Sequence, residues 1–200
     1  IQKESIERAR NYQKPVITAT QMMESMISNP IPTRAEVSDV ANAVIDGTDA
    51  VMLSAETAAG QYPLKAIESM AQVCLAAERQ RSMQGKTKQL NRSFQRIDEA
   101  IAFSTMYAAN QLQVKAIVAL TETGSTPLWM SRVRSGIPIY GVSRSKKARG
   151  RMTLYRGVYP VDFDLTKYQR WQVIREVLTV LRGNGLVHAG EQVILTRGDV

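Results

Sequence analysis

The chain has one cysteine, one histidine and few aromatic residues, and each scarcity removes a class of explanation. With Cys74 as the single thiol, no internal disulfide is possible, which suits a reducing compartment such as the cytoplasm. His188 is the only imidazole and lies far from Cys74 in sequence, so neither a zinc site nor a Cys–His pair is supported. Aromatic residues make up 6% of the chain, too sparse for a platform on which nucleic-acid bases could stack. No run approaches the roughly 18 apolar residues of a membrane span. The charged start IQKESIERAR has no apolar signal-peptide core. The chain begins without Met, as a fragment or processed product would, and it holds no internal repeat and no low-complexity tract.

What is present is an ordinary globular composition: 200 residues, 44% hydrophobic and 22% charged, enough for one large or two small domains. The net charge of +8 is unevenly spread. Residues 1–80 hold 7 Lys/Arg against 10 Asp/Glu, a net of −3, and residues 81–200 hold 19 against 8, a net of +11. A basic half attracts anions such as nucleic acid or phosphorylated metabolites, unless the charges are only solvated surface.

The pattern of elements is α/β throughout. Residues 1–12 read as a helix, 16–20 as a strand and 21–27 as a short helical piece stopped by Asn29-Pro30-Ile31-Pro32. Thr33 with Glu36 forms a capping box, and Val37, Val40, Ala41, Val44 and Ile45 make one apolar helix face that ends at Asp46-Gly47. A strand is expected over 50–54. A helix follows from Pro63 to about Glu78, with Ile67, Met70, Ala71 and Cys74 inward. The polar, basic stretch 81–95 is the candidate linker between a domain over 1–80 and another over 96–200. There a helix over 97–112, strands over 116–120, 139–143, 158–163 and 190–196, and helices from 126 to about 135, over 145–153 and over 171–182 predict a parallel sheet covered on both faces.

Hydroxyl-bearing residues close several strands. Thr20 could donate to a substrate carboxylate or ketone, or cap the helix that follows. Ser54 and Glu56 in LSAET could serve chemistry, or form a turn that binds its own backbone. The loop Thr121-Glu122-Thr123-Gly124-Ser125-Thr126 joins a buried strand to a helix start and could hold phosphate on unpaired N–H groups, or be a plain cap. It lacks the Gly-Lys-Ser/Thr of a Walker loop. Trp171 reads by itself as a buried helix anchor, and Arg34 could be a surface guanidinium.

The stretch from Lys14 to Glu56, KPVITATQMMESMISNPIPTRAEVSDVANAVIDGTDAVMLSAE, resembles pyruvate kinase of the bacterial type, and the likeness continues over essentially the whole chain. It implies the last two βα units of a TIM (β/α)8 barrel, followed by most of a separate three-layer α/β domain that binds effectors. The parent implied by the resemblance transfers phosphate from phosphoenolpyruvate to ADP in glycolysis, giving pyruvate and ATP. It uses Mg²⁺ and K⁺ and works as a cytoplasmic homotetramer. By resemblance, Thr20 lies against the substrate, and Ser54 with Glu56 joins a water-linked network that protonates the enolate. Arg34 lies at the barrel–barrel contact. Thr121 to Thr126, with Trp171 and Arg175, holds the phosphate of a sugar-phosphate or nucleotide effector. The loop departs from many relatives at Ser125, where they carry Arg or Lys, and at Pro127. Arg197-Gly198-Asp199 resembles the strand before the family's second effector loop.

The resemblance supplies no match for the carboxylates that hold the divalent ion, for the lysine on the transferring phosphoryl group, or for the monovalent-ion ligands. Phosphoryl transfer rests on such groups, so this chain alone is expected to be inactive. A different reading is a catalytically inert module in which 96–200 binds a metabolite phosphate. A third is nucleic-acid binding by the cluster Arg132, Arg134, Arg144, Lys146, Lys147, Arg149 and Arg151, which no recognised binding motif accompanies.

Overall fold

The capping box marks where the first unit begins to order. Thr33 Oγ1 accepts the Glu36 N–H at 3.3 Å, and Glu36 Oε2 accepts the Thr33 N–H at 2.8 Å, which satisfies two of the helix's orphan donors for about 0.5–2 kcal/mol. The computed structural model describes residues 1–19, 22–82, 94, 96–133 and 135–197. It divides into two compact units, Ile1–Lys88 and Gln89–Val200. Most of the proposed linker 81–95 lies outside the described residues.

In the first unit, α1 (Gln2–Asn11), β1 (Ile17–Thr18), a 3₁₀ turn (Glu24–Ile27), α2 (Arg34–Asp46), β2 (Ala50–Val51), α3 (Ala55–Ala58) and α4 (Pro63–Ser82) follow in order. The strands pair in parallel, Ile17 beside Ala50 and Thr18 beside Val51. Both are shorter than the sequence suggests, and the chain after Leu53 turns into α3. A four-residue helix has no periodicity to announce it. Gly47 ends α2 at φ 108°, a left-handed conformation that glycine adopts without a Cβ clash.

The core of this unit gathers Met22, Met23 and Met26 with Val40 and Ala43 of α2 and Ala66 and Met70 of α4. The buried stripe of α4 is Ala66, Met70 and Ala77, with Cys74 partly buried against the core; Met70 and Cys74 face inward as expected, whereas Ala71 is exposed and Ile67 is 52% exposed. Small Ala66 takes an inward position in the cluster with Val40 and Ala43 of α2.

In the second unit, α5 (Ile97–Leu112), β3 (Ala116–Leu120), α6 (Ser125–Ser131), β4 (Ile139–Ser143), α7 (Lys146–Met152), β5 (Val158–Asp162), a 3₁₀ turn (Leu165–Lys167), α8 (Val173–Gly183) and β6 (Val193–Arg197) build a four-stranded parallel sheet of order β5-β4-β3-β6. Every residue of β3 and β4 is buried, and alternate side chains face opposite layers. Ile117, Ala119 and Ile139 pack on one face with Met106 of α5, Met130 of α6 and Met152 of α7. Ala116, Val118, Leu120, Tyr140 and Val142 pack on the other with Val173, Val177 and Leu181 of α8. Each such aliphatic side chain contributes about 1.5–3 kcal/mol on burial. Helix α6 stops at Ser131, short of the expected Ser135. Its last turn is closed by Arg132 and Val133 N–H groups donating to Trp129 and Met130 carbonyls.

Candidate functional site

Two groups of residues stand at carboxyl ends of strands, one in each unit. In the first, Glu56 is 3% exposed although it is a carboxylate. Its Oε2 accepts the Ser54 N–H at 2.7 Å, and its Oε1 accepts the Met23 N–H at 3.3 Å. Burial raises the Glu56 pKa, but the backbone N–H groups of Ser54, Glu56 itself and Met23 outweigh it, against a small upward push from Glu36. The net result lies below the ordinary carboxylate value. Ser54 is exposed and its side chain makes no cap bond to α3. Thr20, the third residue of this group, lies outside the described residues.

A second carboxylate organises the same segment. Glu36 Oε1 accepts the Ser25 N–H at 2.7 Å, and Oε2 accepts the Ser25 hydroxyl at 2.5 Å as well as the Thr33 hydroxyl at 2.8 Å. Burial pushes this carboxyl up, and the bonds from Ser25 and Thr33 more than reverse it, so its pKa is lowered. Sequence reading found Glu36 only as a capping residue. No periodicity links it to Ser25 across Asn29-Pro30-Ile31-Pro32. At the amino end of the strands, the buried Thr48 hydroxyl receives the Thr18 hydroxyl at 2.9 Å, and Asp49 Oδ2 accepts the Val16 N–H at 2.9 Å. Arg34, at the start of α2, is exposed.

The second group lies where the order of strands reverses. From β3 the chain moves outward through β4 and β5 by α6 and α7 on one face. It then returns by α8 on the other face to β6, on the far side of β3. In open parallel sheets such a switch point leaves a crevice at the carboxyl ends, where ligands bind. The loop 121–126 leaves β3 there. Thr121 is buried, and its Oγ1 accepts the Gly124 N–H at 2.9 Å, with Gly124 at φ 81°. Thr123 Oγ1 and Ser125 Oγ lie 2.8 Å apart, and Glu122 pairs with Arg144 at 3.3 Å. Arg197, read from sequence only as part of a tripeptide, is paired in register with Leu120, the residue before this loop.

Trp171 is 75% exposed, so within the second unit it is no buried anchor. With Arg175 it lines an open groove of about 780 Å³ along α8, bounded further by Ile174, Leu178, His188 and Val193. Among the described residues that line this groove, none belongs to 121–126. The topology nonetheless puts the start of α8 at the same end of the sheet as the loop. His188 is tied to Glu191, whose Oε2 accepts the His188 N–H at 2.7 Å.

The basic cluster is not one free cationic face. Arg132 is 6% exposed and bonded to Ser131. Arg149 reaches Asp162 at 2.7 Å and the Ser143 carbonyl at 2.8 Å, and Arg144 meets Glu122. Arg134 lies outside the described residues. Among the described residues, no three His, Cys, Asp or Glu are grouped so as to hold a metal ion. Among them, too, no helix is long and apolar enough to cross a membrane.

A parallel βα pair followed by a three-layer α/β unit, each with polar groups at its carboxyl end, defines the class: consecutive pieces of a multidomain α/β protein. The family model "Pyruvate kinase, barrel domain" matches residues 1–67, and "Pyruvate kinase, alpha/beta domain" matches residues 99–200. The chain belongs to the pyruvate kinase family. It is 54% identical to pyruvate kinase II of Salmonella typhimurium over 201 residues, with all of this chain and 42% of that protein covered. It is 50% identical to the pyruvate kinase of Haemophilus influenzae, covering 99% of this chain and 41% of the other. A crystal structure of a pyruvate kinase from Cryptosporidium parvum is similar at 34% identity and a TM-score of 0.85, over 98% of this chain and 40% of that one. The chain thus spans about two-fifths of the length of these relatives.

Proposed function

We propose that this chain is the carboxyl-terminal part of an enzyme that moves the phosphoryl group of phosphoenolpyruvate to ADP, giving pyruvate and ATP in the cytoplasm. The observation that carries the reading is the match of both pyruvate kinase domains, in order, on one chain. Thr20 and Ser54 serve the substrate end of the barrel. The exposed Ser54 hydroxyl supports a part in delivering a proton to the enolate carbon, directly or through one water. Glu56 stands at the same rim, bonded to Ser54. Mg²⁺ and K⁺ enter as requirements of the family, and no residue of this chain is assigned to hold them.

The second unit reads as the regulatory part. The Thr121–Gly124 turn fixes a hydroxyl-rich loop at the switch point, and exposed Trp171, just before α8, and Arg175, in its first turn, stand at the same end of the sheet. The ligand class is a sugar phosphate or a nucleotide. The parent is read as a homotetramer, with exposed Arg34 at its barrel–barrel contact.

The test is ATP formation from phosphoenolpyruvate and ADP, with Mg²⁺ and K⁺, by the full-length protein and by residues 1–200. Turnover by the first and none by the second is expected. A full-length protein without turnover overturns the reading. Saturable heat with sugar phosphates in that inactive protein would favour the inert regulatory module.

A further inference from the structure

We infer that Glu56 is a positioning residue, an anionic clamp that ties the segment behind Thr20 to the rim of the next strand, and is not a proton donor in the reaction. The inference rests on the pyruvate kinase reading for its catalytic consequence, but its geometry stands alone. Both carboxylate oxygens are committed to main-chain donors, Oε2 to the Ser54 N–H at 2.7 Å and Oε1 to the Met23 N–H at 3.3 Å. These donors belong to different βα loops, 31 residues apart in the chain. A carboxylate that accepts two N–H bonds while 3% exposed has its charge stabilised and its oxygens occupied.

The rest of the junction is built to the same end. The Gln61 N–H donates to the Ile27 carbonyl at 2.8 Å, so the two loops are stapled at a second point. Gly60 lies so close that an added Cβ would stand 3.3 Å from Ile27 Cα. Between the staples, the fully buried Met23 and Met26 lock the 3₁₀ turn into the core. Glu36, the neighbouring carboxylate, holds Ser25 from the opposite side. The segment 22–27 is thereby fixed by two carboxylates, and the exposed Ser54 hydroxyl makes no cap bond to α3. Ser54 and Glu56, adjacent in motif, have different tasks: the hydroxyl faces reactants and solvent, and the carboxylate faces backbone.

The experiment uses the full-length protein with Glu56→Gln and Glu56→Asp. Gln keeps the shape but offers one acceptor oxygen, so one of the two N–H groups must face an NH₂. Asp keeps the charge but is one methylene shorter. Three quantities are read: ATP formation, deuterium uptake at the methyl carbon of pyruvate in D₂O, and amide exchange of Met23 and Ser54. The clamp predicts that both reactions fall together in Glu56→Gln, about 10- to 100-fold, because the rim is misplaced. The pH profile of the remaining activity stays where it was, and protection at Met23 and Ser54 is lost. Loss of deuterium uptake with ATP formation intact, together with a missing limb of the pH profile, overturns the inference and makes Glu56 a proton carrier. Unprotected Met23 and Ser54 amides in the unsubstituted protein overturn it without any variant, even if Glu56→Gln fails to fold. A full-length protein with no turnover refutes the family activity alone, since amide protection still decides the clamp.

Discussion

The Thr121 hydroxyl accepts the Gly124 N–H at 2.9 Å inside the loop that leaves the central strand of the second unit. This bond holds the left-handed Gly124 before α6, with Thr123 exposed and Glu122, Ser125 and Thr126 half-buried. Thr121→Val keeps the shape and removes the acceptor, leaving a buried N–H unpaired at a cost of about 1–3 kcal/mol. Thr121→Ser restores the bond. Loss of effector response in the valine variant and its recovery in the serine variant, measured by thermal shift with sugar phosphates and nucleotides, is expected. An undiminished response in Thr121→Val would remove the loop from the binding site.

Trp171 separates stability from binding. It is 75% exposed, so Trp171→Ala is expected to change unfolding free energy by no more than about 0.5 kcal/mol. If it walls the effector pocket, the same substitution weakens the effector about tenfold. Calorimetric titration beside a denaturant curve reads both. A stability loss with unchanged affinity would make it a packing residue of the assembled protein.

Arg197 supplies a cation near the loop 121–126, which has serine at position 125. Its register beside Leu120 places it at the switch point. Arg197→Gln is expected to weaken a phosphorylated effector about tenfold and to leave an uncharged analogue unaffected. Equal affinity in titrations at low salt would show that the charge is not used.

Gly60 tests the junction of the two barrel loops by sterics alone. A Cβ there would lie 2.5 Å from the Glu56 carbonyl oxygen and 3.3 Å from Ile27 Cα, and both are backbone atoms that no rotamer change can move. Gly60→Ala is expected to cost about 1–3 kcal/mol. A denaturation midpoint equal to that of the unsubstituted protein would contradict the close approach.

Acid loosens the same region. The Glu36 and Glu56 pKa values lie below ordinary carboxylate values in the folded chain, so the unfolded chain takes up protons first as pH falls. Their stabilisation is complete above the ordinary carboxylate range and is lost as pH drops through the lowered folded values. The hydrogen-exchange protection factors of residues 22–28, corrected for the intrinsic pH dependence of amide exchange, should fall in acid, and Glu36→Gln should flatten that dependence. A pH dependence unchanged in Glu36→Gln would dissociate this carboxylate from the effect.

The sequence by itself determined the order of elements and the class of fold. Period-two and period-3.6 apolar patterns are local, and so are caps such as Thr33 with Glu36, whose partners lie within one turn. The run AIVAL of β3 reads as a buried strand, and the likeness to pyruvate kinase is carried by a long unbroken string. What the tertiary structure decided was everything that joins distant residues. On α4, Ile67 is outside and Ala66 packs inside with Val40 and Ala43 of α2. Arg132, Arg144 and Arg149 look like one basic patch in sequence, yet each is drawn into its own contact. Ser54 and Glu56 look alike as rim polar groups, and only the approach of the Met23 N–H reveals that one is exposed and the other bound to backbone. Pattern marks where helices, strands and turns fall and most of what is buried. Which donor meets which acceptor across 30 residues depends on packing, and no local spacing encodes it.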